Sequence, residues 1–441
     1  MQNFIIMYKK LQLFSWLLLL FLTGTMNNNV SAQNTFYYNK YKHWTPELES
    51  LAINGNDMMA ITSLGSCYDR ADGVERDTQK AFKLFQRAAE LGDFLGLYNL
   101  GWYYFAGIAT EKNYLLSEKY LLEAIRKNPK LTPAYEGLSN IYDKGGFGVE
   151  ADNKKAFEMY SKAYNLGSRM SLFNMGTYYE QGKVTGEPDY ARALDCFLKV
   201  KDFWEANITP AGLISHKIAG FYNYGQGVDI DIDKAISFYE NAVSLGFFQS
   251  CSELSVAYHK KGDLKNCFNT LLLGYEKGNM LLCNNLGDAY YYGRGTVQSF
   301  EKAYKIFEEG AETSPLCKYR QSEMLRKGEG VANNNKLALL LLEESADSGC
   351  EKAQYRLGCE LYEGKLIPRN YTKAIDLFIK ALEGKYMIDE VKGDICRKLS
   401  ICYRFGRGVE ANENQANEYN RLAASYGESN AKKIEEWLNH L

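Results

Sequence analysis

One short pattern returns along the chain at intervals too short for independent domains. It is an apolar residue, a small residue, an aromatic residue three positions later and usually a glycine after three more, as in Leu286, Gly287, Tyr290 and Gly293. The small residue recurs as Gly65, Gly101, Ser139, Gly176, Ala219, Ser255, Gly287, Ser322, Gly358 and Ser400, with steps of 36, 38, 37, 43, 36, 32, 35, 36 and 42. Its aromatic partner is Tyr68, Tyr104, Tyr142, Tyr179, Tyr222, Tyr258, Tyr290 and Tyr403, with Leu325 and Leu361 in the other two copies. A period of roughly 20–50 residues is the mark of a repeat array, whose units cannot bury their apolar faces alone.

A second block follows inside each copy. Small residues stand seven apart at Ala81 and Ala88, Ala156 and Ala163, Ala235 and Ala242, Ala374 and Ala381, and Ala416 and Ala423. Four residues before the first of each pair, or at the matching position, lies a helix-capping type: Asp77, Asn113, Asp152, Asp189, Asp231, Asp263, Ser299, Asn334, Asn370 and Asn412. Such side chains accept hydrogen bonds from the open N–H groups of a first helical turn, worth about 1 kcal/mol each. Glycines at 92, 167, 246, 278, 349 and 427 then close the helix. The seven prolines fall at helix starts or in connections.

Each copy therefore reads as helix A, a glycine-containing turn, helix B and a short turn. The fold class is all-α, a solenoid of about ten helix-turn-helix repeats over residues 57–427 with half-repeat caps. Residues 33–56 form the N-terminal cap segment, where Thr45 and Pro46 start a helix that ends near Gly55. Residues 428–441 read as an amphipathic C-terminal capping helix. Two insertions, Lys201 to Gly212 and Gly384 to Asp394, each add a loop or about two helical turns at a junction.

The first 32 residues stand apart. Lys9 and Lys10 precede an apolar run from Leu13 to Leu22, which at about ten residues is too short to span a bilayer. Val30-Ser31-Ala32 offers a small-residue cleavage pattern. These features read as a secretory signal over 1–32 and place the mature chain in the periplasm, on the envelope or outside the cell; an uncleaved anchor is the other reading.

The sequence L-G-x-x-Y-x-x-G-x-G-V, then Asp or Asn, then two small residues seven apart, resembles the Sel-1-like repeat, a relative of the tetratricopeptide repeat. Ile218 to Ala242 and Leu286 to Ala311 carry it most fully; Leu254 to Gly278 lacks the first turn glycine, and Leu97 to Asn128 is also weak. The resemblance implies a right-handed α-solenoid with helix A on the concave face. It implies a scaffold or adaptor in protein interaction, with envelope or host contact in exported bacterial members. It brings no shared catalytic residue, so the chain is expected not to be an enzyme.

Other chemistry has little material. Charges nearly cancel, with 52 Lys and Arg against 54 Asp and Glu, so no basic excess calls for nucleic acid. His43, His216, His259 and His440 are the histidines, and no metal or cofactor is expected. Ser299 to Lys302 and Ser429 to Lys432 spell Ser-x-x-Lys, but neither Ser-Asp-Asn nor Lys-Thr-Gly accompanies them, and Ser299 is already a helix cap. Of the ten cysteines, Cys251, Cys283 and Cys396 sit four residues before the small residue, Cys67 and Cys402 just before the tyrosine, and Cys267 in place of a helix B alanine. These are positions for buried thiols. Some exported relatives carry one disulfide per repeat, and this chain lacks that regular pairing; Cys350 with Cys359 is the pair to check. Asn207 and Asn370 fit a glycosylation pattern, though Asn370 is a predicted cap.

A partner is expected on helix A, opposite the buried arc. Two positions before the small residue stand Asn99, Asn174, Asn285, Arg356 and Lys398; one after, Trp102, Asn140, Thr177 and Asp288; five after, Tyr224, Tyr292 and Phe405. Asn99, Trp102, Asn174, Asn285, Tyr292, Arg356 and Phe405 form the candidate binding set. Amides can pair with a peptide backbone and rings supply contact area, and in related repeat proteins this position carries ligand-binding asparagines. A merely solvated face is the competing reading. The expected function is an exported interaction scaffold for a protein or peptide; the alternative is a binder or hydrolase of cell-wall glycan, since Tyr and Trp also stack on sugars.

Overall fold

The computed structural model describes residues 41, 43–201, 209–385, 387–427, 433, 434 and 438. The proposed signal and most of the C-terminal segment lie outside them. The described residues are helical, with one isolated bridge between Gly146 and Val149 and no strand. They fall into two compact units, the second beginning with the helix that follows residue 208, except that Tyr224–Ile230 groups with the first.

In the first unit a lead helix, α1 (Pro46–Asn54), is capped by the Thr45 hydroxyl on the Leu48 N–H. Four hairpins follow: α2 (Met58–Arg70) with α3 (Thr78–Glu90), α4 (Phe94–Ala106) with α5 (Tyr114–Lys127), α6 (Thr132–Lys144) with α7 (Asn153–Asn165), and α8 (Arg169–Glu180) with α9 (Tyr190–Lys201). The second unit holds six: α10 (Thr209–Tyr224) with α11 (Ile232–Ser244), α12 (Cys251–Lys261) with α13 (Leu264–Glu276), α14 (Cys283–Tyr292) with α15 (Phe300–Gly310), α16 (Pro315–Lys327) with α17 (Asn335–Asp347), α18 (Glu351–Glu363) with α19 (Tyr371–Leu382), and α20 (Asp389–Phe405) with α21 (Glu413–Ser425). Each unit is a stack of α-hairpins, the architecture of an α-solenoid.

Local chemistry closes every hairpin the same way. All ten helix B caps accept a backbone N–H from the first turn, as Asp77 does from Lys80 and Asn412 from Gln415. The N–H of each cap residue donates to the carbonyl of the anchor position on helix A, from Asp77 to Tyr68 through Asn412 to Tyr403. The two turn glycines have separate duties. Gly293 ends α14 in the left-handed conformation at φ 69°, while Gly295, also at positive φ, lies against the Leu264 carbonyl of the preceding copy, where a Cβ would overlap it. Ser299 spends its hydroxyl on the Lys302 N–H, so that Ser-x-x-Lys string is a cap; Ser429 to Lys432 lies outside the described residues.

The small residue of helix A makes room for a phenylalanine of helix B. A Cβ on Gly65 or Gly358 would stand 2.7 Å from Phe85 or Phe378, and one on Gly287 would run into the ring of Phe307. All three rings are buried. The insertion before Asp394 supplies an early start to α20, which begins eleven residues ahead of Ser400 and runs for 17 residues; 202–208 of the other insertion are not described. Lys433, Ile434 and Leu438 are helical, and the latter two are buried against the α18–α20 core with Ile395 and Leu399. All ten cysteines are free thiols, Cys350 and Cys359 included. Cys67, Cys251, Cys283, Cys396 and Cys402 are buried, while Cys267 is only half-buried. Among the described residues no helix is long and apolar enough to cross a membrane.

Candidate functional site

In a stacked array each helix A has a helix A of the neighbouring copy on either side. This changes the meaning of the positions two before and one after the small residue. At two successive junctions of the second unit they face each other across consecutive copies, whereas Val256, one after Ser255, is 44% exposed. Arg320, two before Ser322, donates to Asp288, one after Gly287, at 2.5 Å, and each side chain is 5% exposed. One copy further on, Arg356 stands 3.6 Å from Glu323, which is one after Ser322. Asp288, expected on the open arc, is therefore core.

Around these pairs the helices α14 to α20 assemble a ladder of charge. The Arg320 guanidinium also reaches the Tyr292 hydroxyl at 3.3 Å and lies over the rings of Tyr291 and Phe307. Burial pushes the Asp288 carboxyl up, and Arg320 opposes that shift. Burial works the same way on Glu323, but two hydrogen bonds from Arg326, at 3.2 and 2.7 Å, and the charge of Arg356 hold it below the usual carboxylate range. Lys352 is the cation with the poorest surroundings: burial, and then Arg320, bring it down to about 8. On α20, Asp394 accepts from the Tyr355 hydroxyl at 2.9 Å and from the Lys398 ammonium. Burial pushes the Cys359 thiol beside them up to about 12, which keeps it protonated and unreactive.

The candidate residues divide between the units. Asn99 and Trp102 on α4 and Asn174 on α8 belong to the first, and all three are half-buried. Trp102 is not the large exposed ring expected; it packs on Phe105 with ring centroids 5.3 Å apart and adds to two apolar clusters. In the second unit Asn285, Tyr292 and Arg356 are half-buried along the ladder. Phe405, at the end of α20, is 63% exposed, with the Arg407 guanidinium 5.4 Å from its ring. The structure joins Tyr292 to Asp288 and Arg320 and adds Glu323, Arg326, Lys352 and Asp394 to the site. For Glu323, as for Asp288, the signal in the sequence is opposite charge one after the small residue and two before the next, which shows only when consecutive copies are aligned; Arg326, Lys352 and Asp394 carry no such signal.

A cavity of about 120 Å³ opens beside Arg356. Arg326, Arg356 and Glu360 make its polar wall; Leu339, Leu366 and Ile367 are in its apolar one. Among the described residues no cluster of His, Cys, Asp and Glu could hold a metal ion.

Known proteins resemble this chain at three levels. The chain is 23% identical over 273 residues to Chitin synthase regulatory factor 3 of Schizosaccharomyces pombe, covering 61% of this chain and 27% of that protein. It is 27% identical over 215 residues to the Chitin synthase regulator SKT5 of Saccharomyces cerevisiae, covering 40% of this chain and 31% of that one. The chain thus spans less than a third of either relative's length. Among solved structures, a protective antigen present in uropathogenic Escherichia coli strains, displaying an SLR fold, superposes with a TM-score of 0.62 at 21% identity, covering 89% of this chain and 93% of the other. The family model of the Sel1 repeat matches residues 59–93, 95–129, 132–168, 169–199, 216–247, 282–312, 316–350, 351–386 and 395–427. It passes over the copy built by α12 and α13, whose turn lacks the first glycine yet closes through the same bond from the Asp263 N–H to the Tyr258 carbonyl. With nine repeats matched over more than half of its length, the chain belongs to the Sel1 repeat family.

Proposed function

We propose that this chain is an exported, non-enzymatic scaffold that holds a protein or peptide partner along the helix A faces of its second unit. Sel1 repeat proteins serve as protein-interaction scaffolds. The observation that carries the reading is the ladder from Asp288 to Lys398. Charge pairing there fixes consecutive helices in register, and it leaves Arg356 and Phe405 with surface to offer. A rigid row of polar groups flanked by aromatic rings suits a segment lying across several copies. Both curated relatives are named as regulators of chitin synthase, a role that fits action through contact with another protein. The N-terminal apolar run and Val30-Ser31-Ala32 support export.

Capture of partners from the native envelope by the full chain tests this reading, alongside Asn285→Ala, Arg356→Ala and Phe405→Ala. Capture of a defined protein, weakened by these changes while melting holds, is the expected result. Retention of isolated wall glycan in place of any protein would overturn it. The export step has its own measurement: the mass of the protein recovered from its source should correspond to a chain beginning after Ala32.

A further inference from the structure

We propose that the cavity beside Arg356 is a subsite for one aliphatic residue of an extended peptide, read through its side chain and its backbone together. The inference rests on the scaffold reading above and gives that partner a chemistry. Its first support is an unsatisfied donor. The Arg356 side chain is only 21% exposed, its Nε is buried without a hydrogen-bond partner, and the guanidinium makes no hydrogen bond among the described residues. Its nearest anion, Glu323, is 3.6 Å away and already taken by two hydrogen bonds from Arg326. The guanidinium is thus poorly satisfied by the protein, and an acceptor arriving at its remaining N–H groups is rewarded.

The second support is charge balance. Glu323, Arg326, Arg356 and Glu360 sum to zero, so the wall does not select for an ion. Glu360 makes no hydrogen bond through its side chain among the described residues, which leaves an acceptor in the same wall as the open donor. A peptide unit offers the matching set: its C=O accepts from Arg356 and its N–H donates to Glu360. The third support is size and lining. A cavity of about 120 Å³ is well below the roughly 300 Å³ at which small-molecule sites begin. It has room for one side chain, and Leu339 and Ile367 give that side chain an apolar wall. Leu366, 59% exposed, stands at the lining as a large apolar residue in water, ready to be covered. A lone carboxylate would leave the leucines unfilled, and an apolar solute would leave Arg356 unsatisfied; an aliphatic residue in an extended chain serves both.

The test uses the full chain and fluorescein-labelled, C-amidated nonapeptide pools with a fixed central residue and uncharged randomised flanks. Fluorescence polarisation should show the leucine pool binding about tenfold or more tighter than the alanine, glutamate or lysine pools. Arg356→Met and Leu366→Ala should each remove most of that preference, with melting unchanged; Leu366→Ala, at an exposed position, provides the measurement if Arg356→Met fails to fold. Equal binding of the leucine and alanine pools, a preference for glutamate, or a leucine preference that survives both variants would overturn the subsite. If the variants still capture the envelope partner at full strength, the subsite falls and the scaffold reading stands. If no pool binds and no protein is captured, both fall together.

Discussion

Lys352 carries the ammonium that the ladder accommodates worst. Burial and the nearby Arg320 bring it down to about 8 from 10.5, against weaker support from Asp288, Cys350 and Glu351. Between those two values the unfolded chain holds a proton that the folded chain has lost, so this residue makes stability rise with pH across that window. Below it, the folded state bears the cost of a charged, desolvated group. Lys352→Met should therefore stabilise the protein at neutral pH, with the gain over the unmodified chain shrinking between pH 8 and 10.5. Thermal melts of both proteins across that range measure the difference; a gap that widens with pH would contradict the assignment. Asp288 carries the opposite lesson. Asp288→Asn leaves the buried Arg320 uncompensated, and breaking such a pair costs about 3–5 kcal/mol. Replacing both residues by leucine should recover most of that loss in denaturant unfolding, because the pair's worth lies in registering α14 against α16 and not in net stability.

Gly287 shows how one position fixes an element. Its α-carbon faces the fully buried ring of Phe307, so Gly287→Leu overpacks the α14–α15 contact and should cost about 1–3 kcal/mol or more in denaturant unfolding. An unchanged midpoint would show that the two helices do not meet there. This contact was legible in advance because small residues, caps and the first turn glycine act within a single hairpin, and a period of about 36 residues displays them repeatedly. Positions between hairpins were not legible in the same way. Asp288 occupies the arc that a lone helix would turn to water, yet Arg320 of the adjoining helix A covers it; the indole of Trp102 packs on Phe105 of its own helix and joins two apolar clusters. An arc diagram treats a helix as having one buried side, whereas a helix inside a stack has three. The cavity beside Arg356 was likewise invisible, since its lining comes from two consecutive copies, on α16, α17, α18 and the turn after α18, and the repeat pattern does not mark a space between copies.

At the scale of the whole molecule, every closure found is local. The cap, the anchor carbonyl and the glycine-to-phenylalanine contact lie within one hairpin, and the ladder reaches only the next copy. The apolar clusters follow suit: Leu121, Leu138 and Tyr160 in the first unit share one with their neighbours, while Phe307, Leu286 and Phe268 share another in the second. Stability in such a chain is close to a sum of repeat terms and nearest-neighbour terms, so damage should spread a short distance and stop. Native-state hydrogen exchange can read this helix by helix, because local openings have their own free energies. In Gly287→Leu, amides of α14 and α15 should lose protection most, those of α12, α13, α16 and α17 less, and those of α4 to α7 not at all. A loss of equal size in every helix would mean that the repeats unfold as one cooperative body and that contacts beyond nearest neighbours carry the stability. A loss confined to α14 and α15 alone would mean that the Asp288–Arg320 pair transmits nothing between copies, and the ladder would then be a row of independent pairs and not a spine.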